Sequence, residues 1–222
     1  MTLLEAISAR HSVRSYTQQP IEGPVLEALN AMIDQCRKGS GLHLELIRDQ
    51  PQAFQNFLAH YGQFSNVRNY IILAGRKSAD LEEKCGYYGE KIVLYAQTLG
   101  LNTCWVALTY GKSSASFALA KGEKLCLVIA IGYGTHPGVA HRCKSRETVM
   151  KTSQTPVPEW FLNGVDAALL APTAMNQQKF TFFLKDNVVS AKAGLGFYSK
   201  IDLGIVKYHF ELGAGKEHVQ WG

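Results

Sequence analysis

The strongest constraint on the fold is a set of short apolar strands that alternate irregularly with amphipathic helices. The runs NYIILAG (69–75) and LCLVIAIGYG (125–134) are typical of buried strands, and helical spacing of apolar residues marks 24–38, 80–99 and 201–215. Because strands and helices do not alternate regularly, we expect an α+β fold. A mixed or antiparallel sheet flanked by helices fits this pattern better than a doubly wound sheet.

Composition favours a compact globular protein that handles small molecules. The chain has 222 residues, 46% of them apolar, and no run approaches the roughly 20 apolar residues that a bilayer span requires. Arginines stand near the amino end where a signal peptide would carry its apolar centre, so we expect a cytoplasmic protein without a membrane partner. The net charge of +5 comes from scattered residues, which argues against a nucleic-acid partner and for anionic small molecules.

The five cysteines indicate neither a disulfide framework nor a metal site. They form no CxxC pair, and Cys104 and Cys126 lie in apolar runs where thiols act as small hydrophobic groups. We therefore expect no bound metal.

The two halves of the chain resemble each other weakly. The segment 165–182 aligns without a gap with 29–46, and 204–221 is similar in pattern to 89–105. Chance similarity between amphipathic helices is the alternative explanation. If the similarity is real, it implies a duplication, with halves at 1–150 and 151–222 joined near KTSQTPVP (151–158) and packed as one compact unit.

The first candidate binding segment is RHSVRSY (10–16), which follows a short helix. It places two guanidinium groups and a hydroxyl within one turn, and an arginine fork can hold a phosphate through two hydrogen bonds. Taken alone, the segment is equally typical of a solvated basic helix end.

The second candidate segment is APTAMNQQ (171–178), between a helix and a strand. Its hydroxyl and amide groups can both donate and accept hydrogen bonds, as the hydroxyls of a sugar alcohol or the edge of a flavin ring require. A loop that only ends a helix is the alternative interpretation.

The third candidate segment is the strand IAIGYG (129–134) with its basic tail. No helix start follows the glycines and the GxGxxG pattern is incomplete, so a dinucleotide fingerprint is rejected. Arg142 and Lys144 alternate, so an extended backbone would direct both toward one side, where they could meet the same phosphate as Arg10. A solvated basic loop is the alternative.

Together these segments resemble the motifs of the nitroreductase-like FMN flavoproteins. RHSVRSY, APTAMNQQ, LGLNTCW (99–105) and IAIGYG with its HRCK tail correspond to four motifs of that superfamily and span nearly the whole chain. The position of APTAMNQQ near the carboxyl end resembles the arrangement in the putative TM-type nitroreductase subgroup. The resemblance implies a nitroreductase-like fold and FMN as cofactor.

The resemblance also implies which residues bind FMN. Arg10, Ser12, Arg142 and Lys144 would hold the phosphate, and His11 would contribute mainly its backbone. Arg14 would lie near the pyrimidine edge of the ring as electrostatic support. The remaining implied contacts, to the ring or the ribityl chain, are Asn66, Pro172, Thr173, Asn176 and Gln178.

One departure from the family pattern concerns architecture. We call RHSVRSY (10–16) the basic turn and APTAMNQQ (171–178) the amide loop. In usual members the amide loop follows the basic turn by a few tens of residues and is donated by the partner of a homodimer. Here QCRKGSGL (35–42) occupies that place. We therefore expect a pseudo-dimeric monomer with one FMN per chain, with a homodimer as the alternative. Lys179 and Phe180 replace a usual Pro-Trp pair, which alters a wall near the cofactor.

The family chemistry is a ping-pong reaction in which NAD(P)H, as co-substrate, reduces the flavin and a nitroaromatic, quinone or similar acceptor reoxidises it. The flavin carries this chemistry, so no catalytic side chain is expected and Tyr16, His136 and His141 are interpreted as structural. One alternative is an FMN-binding protein for storage or sensing, which would not be bleached by a nicotinamide. Another is a basic nucleic-acid module, which would be colourless and would bind DNA in a salt-dependent way.

Overall fold

The computed structural model describes residues 1–52, 64–107 and 117–222. Within them it confirms the α+β fold, with two four-stranded sheets. The first sheet is antiparallel and has the order β1-β2-β4-β3. Its strands are β1 (His43–Ile47), β2 (Asn69–Arg76), β3 (Asn102–Val106) and β4 (Glu123–Gly132).

The second sheet is mixed and has the order β5-β6-β7-β8. Its strands are β5 (Met150–Thr152), β6 (Phe180–Lys185), β7 (Val188–Ala193) and β8 (Gln220–Trp221). The two inner strands are antiparallel to each other, and each edge strand runs parallel to its neighbour. The expected linker 151–158 is therefore wrong at its start, because Lys151 and Thr152 pair with β6.

Three of the described helices lie close to 24–38, 80–99 and 201–215, where apolar spacing predicts them. The helices are α1 (Leu3–Ala9), α2 (Gly23–Ser40), α3 (Leu81–Thr98), α4 (Arg146–Val149), α5 (Glu159–Leu169) and α6 (Ser199–Ala214). Short 3₁₀ turns occupy Ala174–Asn176 and Lys216–His218. The sequence also predicts an amphipathic segment at 51–62, most of which lies outside the described residues. It predicts a helical turn at 113–120, of which 113–116 lie outside them and 117–120 are not helical. None of the described helices combines the length and apolarity needed to cross a bilayer.

Local chemistry accounts for some of the helix ends. Thr2 and Glu5 form a reciprocal capping box at the start of α1, and α2 ends at Gly41, which has a left-handed φ of 70°. The capping box that the sequence predicts at Asp80 and Glu83 is wrong. The Asp80 carboxylate is instead engaged by the Ser78 hydroxyl and the Lys84 ammonium.

Helices α3 and α6 touch through their backbones at a pair of glycines. A Cβ atom added to Gly86 would lie 2.0 Å from the Ile201 carbonyl oxygen, and one added to Gly204 would lie 1.9 Å from that of Glu83. No side chain fits at such distances, so glycine is required at both positions. The contact joins the part of the chain that carries the first sheet to the part that carries the second.

The main apolar core also extends through both parts of the chain. It includes Ile71 and Leu73 of the first sheet together with Phe161, Phe182 and Phe210, which pack ring against ring in the second part. One continuous core thus joins the two sheets, and a second, smaller cluster that includes Tyr70, Ile72 and Val128 packs on the other side of the first sheet.

The basic turn after α1 (residues 10–16) is fixed to the ends of two neighbouring strands, β3 and β4. The Val13 amide donates to the Thr103 carbonyl at 3.0 Å, which ties the turn to β3. The Thr17 amide donates to the Tyr133 carbonyl at 2.8 Å, just beyond β4. The buried Tyr16 hydroxyl donates to the Val13 carbonyl at 2.7 Å and closes the turn on itself. These bonds hold the backbone of residues 12–17 in a defined place.

A buried carboxylate holds the amide loop. Asp202, in the first turn of α6, is 3% exposed and accepts hydrogen bonds from the Ala174 amide at 3.0 Å and from Gln177 Nε2 at 2.8 Å. Burial raises the pKa of Asp202 to about 6, and the two donors act in the opposite direction. The loop conformation therefore depends on a carboxyl group that is costly to ionise.

Replacing Gly204 by alanine is expected to lower the free energy of unfolding by about 3 kcal/mol, because the new methyl group forces α3 and α6 apart. Urea unfolding followed by circular dichroism measures the change. Gly39→Ala is the matched control, since its Cβ would meet the Tyr88 ring at an ordinary 3.5 Å. The control should be neutral or stabilising by up to about 1 kcal/mol. Equal effects of the two substitutions would contradict the requirement at the helix crossing.

Asp202→Asn is expected to flatten the dependence of stability on pH. The pKa of this carboxyl is near 4 in the unfolded chain and about 6 in the folded one, so between those values the folded state binds more protons. Its contribution is complete below pH 4 and is lost as the pH rises through 6, which amounts to about 3 kcal/mol for two pKa units. Urea titrations of both proteins at pH 4, 5, 6 and 7 measure this loss. The same slope in both proteins would refute the assignment.

Candidate functional site

Two adjoining cavities form one cleft between the two parts of the chain. Their volumes are about 420 Å³ and 620 Å³, within the range of about 300 to 1,000 Å³ that ligand sites usually have. The smaller is named the basic cavity and the larger the aromatic cavity. The residues that line both are Ser12, Arg14, Pro172, Thr173 and Met175.

The basic cavity concentrates cationic and imidazole groups. Arg10, Arg14, His11, His136 and His141 all line it. Arg10 is only 3% exposed, and among the described residues its Nε atom has no hydrogen-bond acceptor. Burial lowers the pKa of Arg10, and the charge of Glu90 acts in the opposite direction. A buried guanidinium with an unused donor fits an anionic ligand group.

The histidines of the basic cavity are brought together by a close backbone approach. Gly138 has a φ of +82°, and a Cβ added to it would lie 2.7 Å from the Cβ of His11. Burial, followed by the charge of Arg10, lowers the pKa of His11. The part of the chain that the structure describes contains no group of three or more His, Cys, Asp or Glu residues placed to hold a metal ion.

The aromatic cavity is lined by rings and contains one carboxylate. Phe64, Trp105 and Tyr198 line it, and the Arg14 guanidinium carbon lies 5.9 Å from the centroid of the Phe64 ring. Asp202 is its carboxylate. Phe197, which is 74% exposed, stands at the mouth of the cavity. Large aromatic surfaces around an open cavity suit a planar ligand.

The amide loop that separates the cavities has a strained backbone. Met175, Asn176 and Gln178 have φ values of 51°, 52° and 44°, which places them in the left-handed region. Hydrogen bonds within the loop and to a neighbouring segment hold this conformation. Thr173 Oγ1 accepts from the Gln178 amide at 3.1 Å, and Asn176 Nδ2 donates to the Arg142 carbonyl at 2.9 Å.

The cleft gathers most of the site residues expected from the sequence. Those that line it are Arg10, His11, Ser12, Arg14, Pro172, Thr173 and Asn176. They come from chain segments about 160 residues apart, which the resemblance of these segments to family motifs predicts to share one site. Their contacts with a cofactor stay predictions.

Four other expected residues have a different placement, and the cleft-lining residues do not include them. Gln178 Nε2 donates to the Arg142 carbonyl at 2.7 Å, and Lys144 Nζ donates to the carbonyls of Gln177 and Gln178 at 2.8 Å and 3.0 Å. The exposed Asn66 donates to the Tyr16 carbonyl at 3.2 Å. The Arg142 carbonyl, and not its exposed side chain, is the group that the amide loop engages.

Several cleft residues were not identified from the sequence. Trp105 belongs to the LGLNTCW motif, so its position could have been inferred from that motif. Asp202, Phe197 and Tyr198 are near the start of α6, where no local pattern marks them. His136 and His141, interpreted as structural, line the basic cavity, and His141 Nε2 also lies 3.0 Å from the Leu169 carbonyl oxygen.

Solved structures share this fold over most of the chain. A putative nitroreductase from Thermotoga maritima superposes with a TM-score of 0.72 at 21% identity, covering 98% of this chain and 85% of its own. A putative nitroreductase from Desulfovibrio desulfuricans, solved in complex with FMN, gives a TM-score of 0.52 at 19% identity, covering 71% and 99%. A putative NADH dehydrogenase/NAD(P)H nitroreductase from Parabacteroides distasonis gives 0.53 at 18% identity, covering 66% and 95%.

No curated protein matches the chain in sequence. The family model described as Putative TM nitroreductase matches residues 2–214, which is nearly the whole chain. On the extent of that match, the chain belongs to the putative TM nitroreductase family.

Proposed function

We propose that this protein is an FMN-dependent oxidoreductase that uses NAD(P)H. The observation that carries the proposal is the polarity of the cleft, in which arginines and histidines line one end and aromatic rings line the other. A ligand with a phosphate at one end and a planar ring system at the other matches both ends at once. The FMN-complexed structure from Desulfovibrio desulfuricans, which shares the fold, supports the same choice.

The residues of the basic cavity fit a phosphate group. Arg10, which lines the basic cavity and is 3% exposed, would donate from its guanidinium to a phosphate oxygen. Ser12 would add a hydroxyl donor. Arg142 and Lys144 stay proposed phosphate contacts, on the family resemblance. Their segment adjoins the basic cavity, since Asn176, which lines it, donates to the Arg142 carbonyl at 2.9 Å, but Lys144 would have to give up its bonds to the carbonyls of Gln177 and Gln178.

The residues of the aromatic cavity would hold the ring system. Thr173, which lines both cavities, would meet the ribityl chain or the ring edge, with Asn176 at the phosphate side. Arg14 also lines both cavities, so its charge would act on the ring as well as on the phosphate. Asn66 and Gln178 support this geometry through their bonds to the carbonyls of Tyr16 and Arg142. We propose that both also contact the cofactor directly.

Bound FMN would supply the redox chemistry, which under this proposal is a ping-pong transfer of electrons from NAD(P)H to a nitroaromatic, quinone or similar acceptor. The chain itself would bind the cofactor, orient it and partly exclude water from its ring. Arg14 would stabilise negative charge on the ring, and the apolar side chains around Trp105 would restrict the access of water to it.

The two walls of the cleft support a pseudo-dimeric arrangement. The basic turn stands at residues 10–16 and the amide loop at 171–178 of the same chain, and both line one cavity. In each half a helix, a break and a strand follow in the same order, as α2 and β1 do in the first and α5 and β6 in the second. We therefore propose one FMN per chain, held between halves that derive from a duplication, in a small-molecule enzyme of the cytoplasm.

The absorbance spectrum of the purified protein tests the function directly. We expect flavin bands near one FMN per chain, bleaching on anaerobic addition of NADPH or NADH, and their return on addition of a quinone or nitroaromatic. Bands that persist with both nicotinamides would favour the storage or sensing alternative. A protein that does not retain added FMN would contradict the proposal as a whole.

Arg10→Ala is expected to weaken FMN binding by roughly 10- to 150-fold, because a charge-assisted hydrogen bond contributes about 1.5 to 3 kcal/mol. Quenching of flavin fluorescence measures the dissociation constant. Arg68→Ala is the matched control, since its exposed guanidinium pairs with Asp49 outside the cleft and its loss should leave binding unchanged. Arg142→Ala is expected to act in the same direction as Arg10→Ala, and unchanged affinity would remove that side chain from the site.

A further inference from the structure

A buried carboxylate behind the cleft connects residues that line both cavities. Glu90, in α3, accepts a hydrogen bond from Trp105 Nε1 at 2.8 Å through Oε2. Its other oxygen, Oε1, lies 2.8 Å from His209 Nε2 in α6 and 3.9 Å from Arg10 Nε. Trp105 lines the aromatic cavity and Arg10 lines the basic cavity. One carboxylate therefore lies against both ends of the cleft.

The number of protons in the Glu90–His209 pair follows from its hydrogen bonds. Nδ1 of His209 lies 3.0 Å from the Ala167 carbonyl oxygen, which can only accept, so Nδ1 carries a hydrogen. A second hydrogen must lie between Nε2 of His209 and Oε1 of Glu90 to make that hydrogen bond. The pair thus holds two protons and has no net charge, whichever of the two atoms carries the second one.

The charge of Arg10 is consequently not cancelled by Glu90. Both members of the pair are 0% exposed, so water does not screen them, and the carboxylate has His209 as its hydrogen-bonding partner at 2.8 Å. Arg10 is the more distant neighbour at 3.9 Å, and its Nε makes no hydrogen bond among the described residues. The three side chains together retain one positive charge, on the residue that lines the basic cavity.

We propose that His209 is a positioning residue that neutralises Glu90 and so keeps Arg10 available as an uncompensated cation for the phosphate of the cofactor. The inference rests on the proposed FMN function and deepens it. Without His209, the same carboxylate would serve as the counter-ion of Arg10, and the site would lose attraction for a phosphate without losing any group that touches it. Glu90 would still hold Trp105 in place.

Three variants and two ligands test the proposal. His209→Gln, Glu90→Gln and the double variant are compared with the unmodified protein for binding of FMN and of riboflavin, which lacks the phosphate. We expect His209→Gln to weaken FMN binding roughly tenfold while riboflavin binding changes little. The double variant has lost both charges of the pair, so we expect it to recover FMN affinity to near the unmodified level.

The ligand comparison separates charge from packing. Equal weakening of FMN and riboflavin by His209→Gln, or failure of the double variant to recover FMN binding, would overturn the proposal in favour of a purely structural role. If His209→Gln does not fold, the FMN affinity of Glu90→Gln decides between the two explanations. Charge compensation predicts FMN binding at least as tight as in the unmodified protein, whereas a carboxylate that merely braces Arg10 predicts weaker binding.

The outcome for the unmodified protein is independent of these variants. If it binds neither FMN nor riboflavin, the proposed function fails. If it binds FMN and the variants do not change the affinity, the function stands and the role of His209 is refuted.

Discussion

The backbone contact between Gly86 and Gly204 is the constraint on which the cleft depends. Because no side chain separates α3 from α6 there, residues one turn further along both helices meet at hydrogen-bonding distance, and Glu90 faces His209 at 2.8 Å. A further glycine of α3, Gly89, lets Trp105 of β3 pack against the same helix, since an added Cβ would lie 2.5 Å from the indole ring. Glycines of α3 therefore allow both the close approach of α6 and the position of a ring in the aromatic cavity.

The two ends of the cleft are lined by side chains of different chemistry. Guanidinium and imidazole groups surround one end, and the other end has aromatic walls with a single carboxylate that is costly to ionise. Such a division orients an amphiphilic anion without any catalytic side chain, because each end rejects what the other binds. Membership of the putative TM nitroreductase family is consistent with a protein that relies on placement of a cofactor more than on acid or base groups.

Local patterns predicted the elements well and the long-range pairing poorly. Helical periodicity predicted α2, α3 and α6 to within a few residues, and four separated motifs predicted that Arg10 and Thr173 would share a site. The division into two sheets was not predicted, because strand pairing depends on contacts between distant residues. Lys144 and Gln178 bond to loop carbonyls because a folded loop must satisfy its own polar groups, a demand that motif spacing does not reveal. Asp202, Glu90 and His209 lie within helical patterns that give no local indication of burial.

The basic turn and the amide loop, which form opposite walls of the cleft, lie on one continuous chain. Their encounter is unimolecular, so dilution cannot pull the walls apart in the way that it separates subunits. The affinity of these two walls for a ligand therefore does not depend on protein concentration. A site shared between two chains would instead be lost at concentrations low enough for the chains to dissociate.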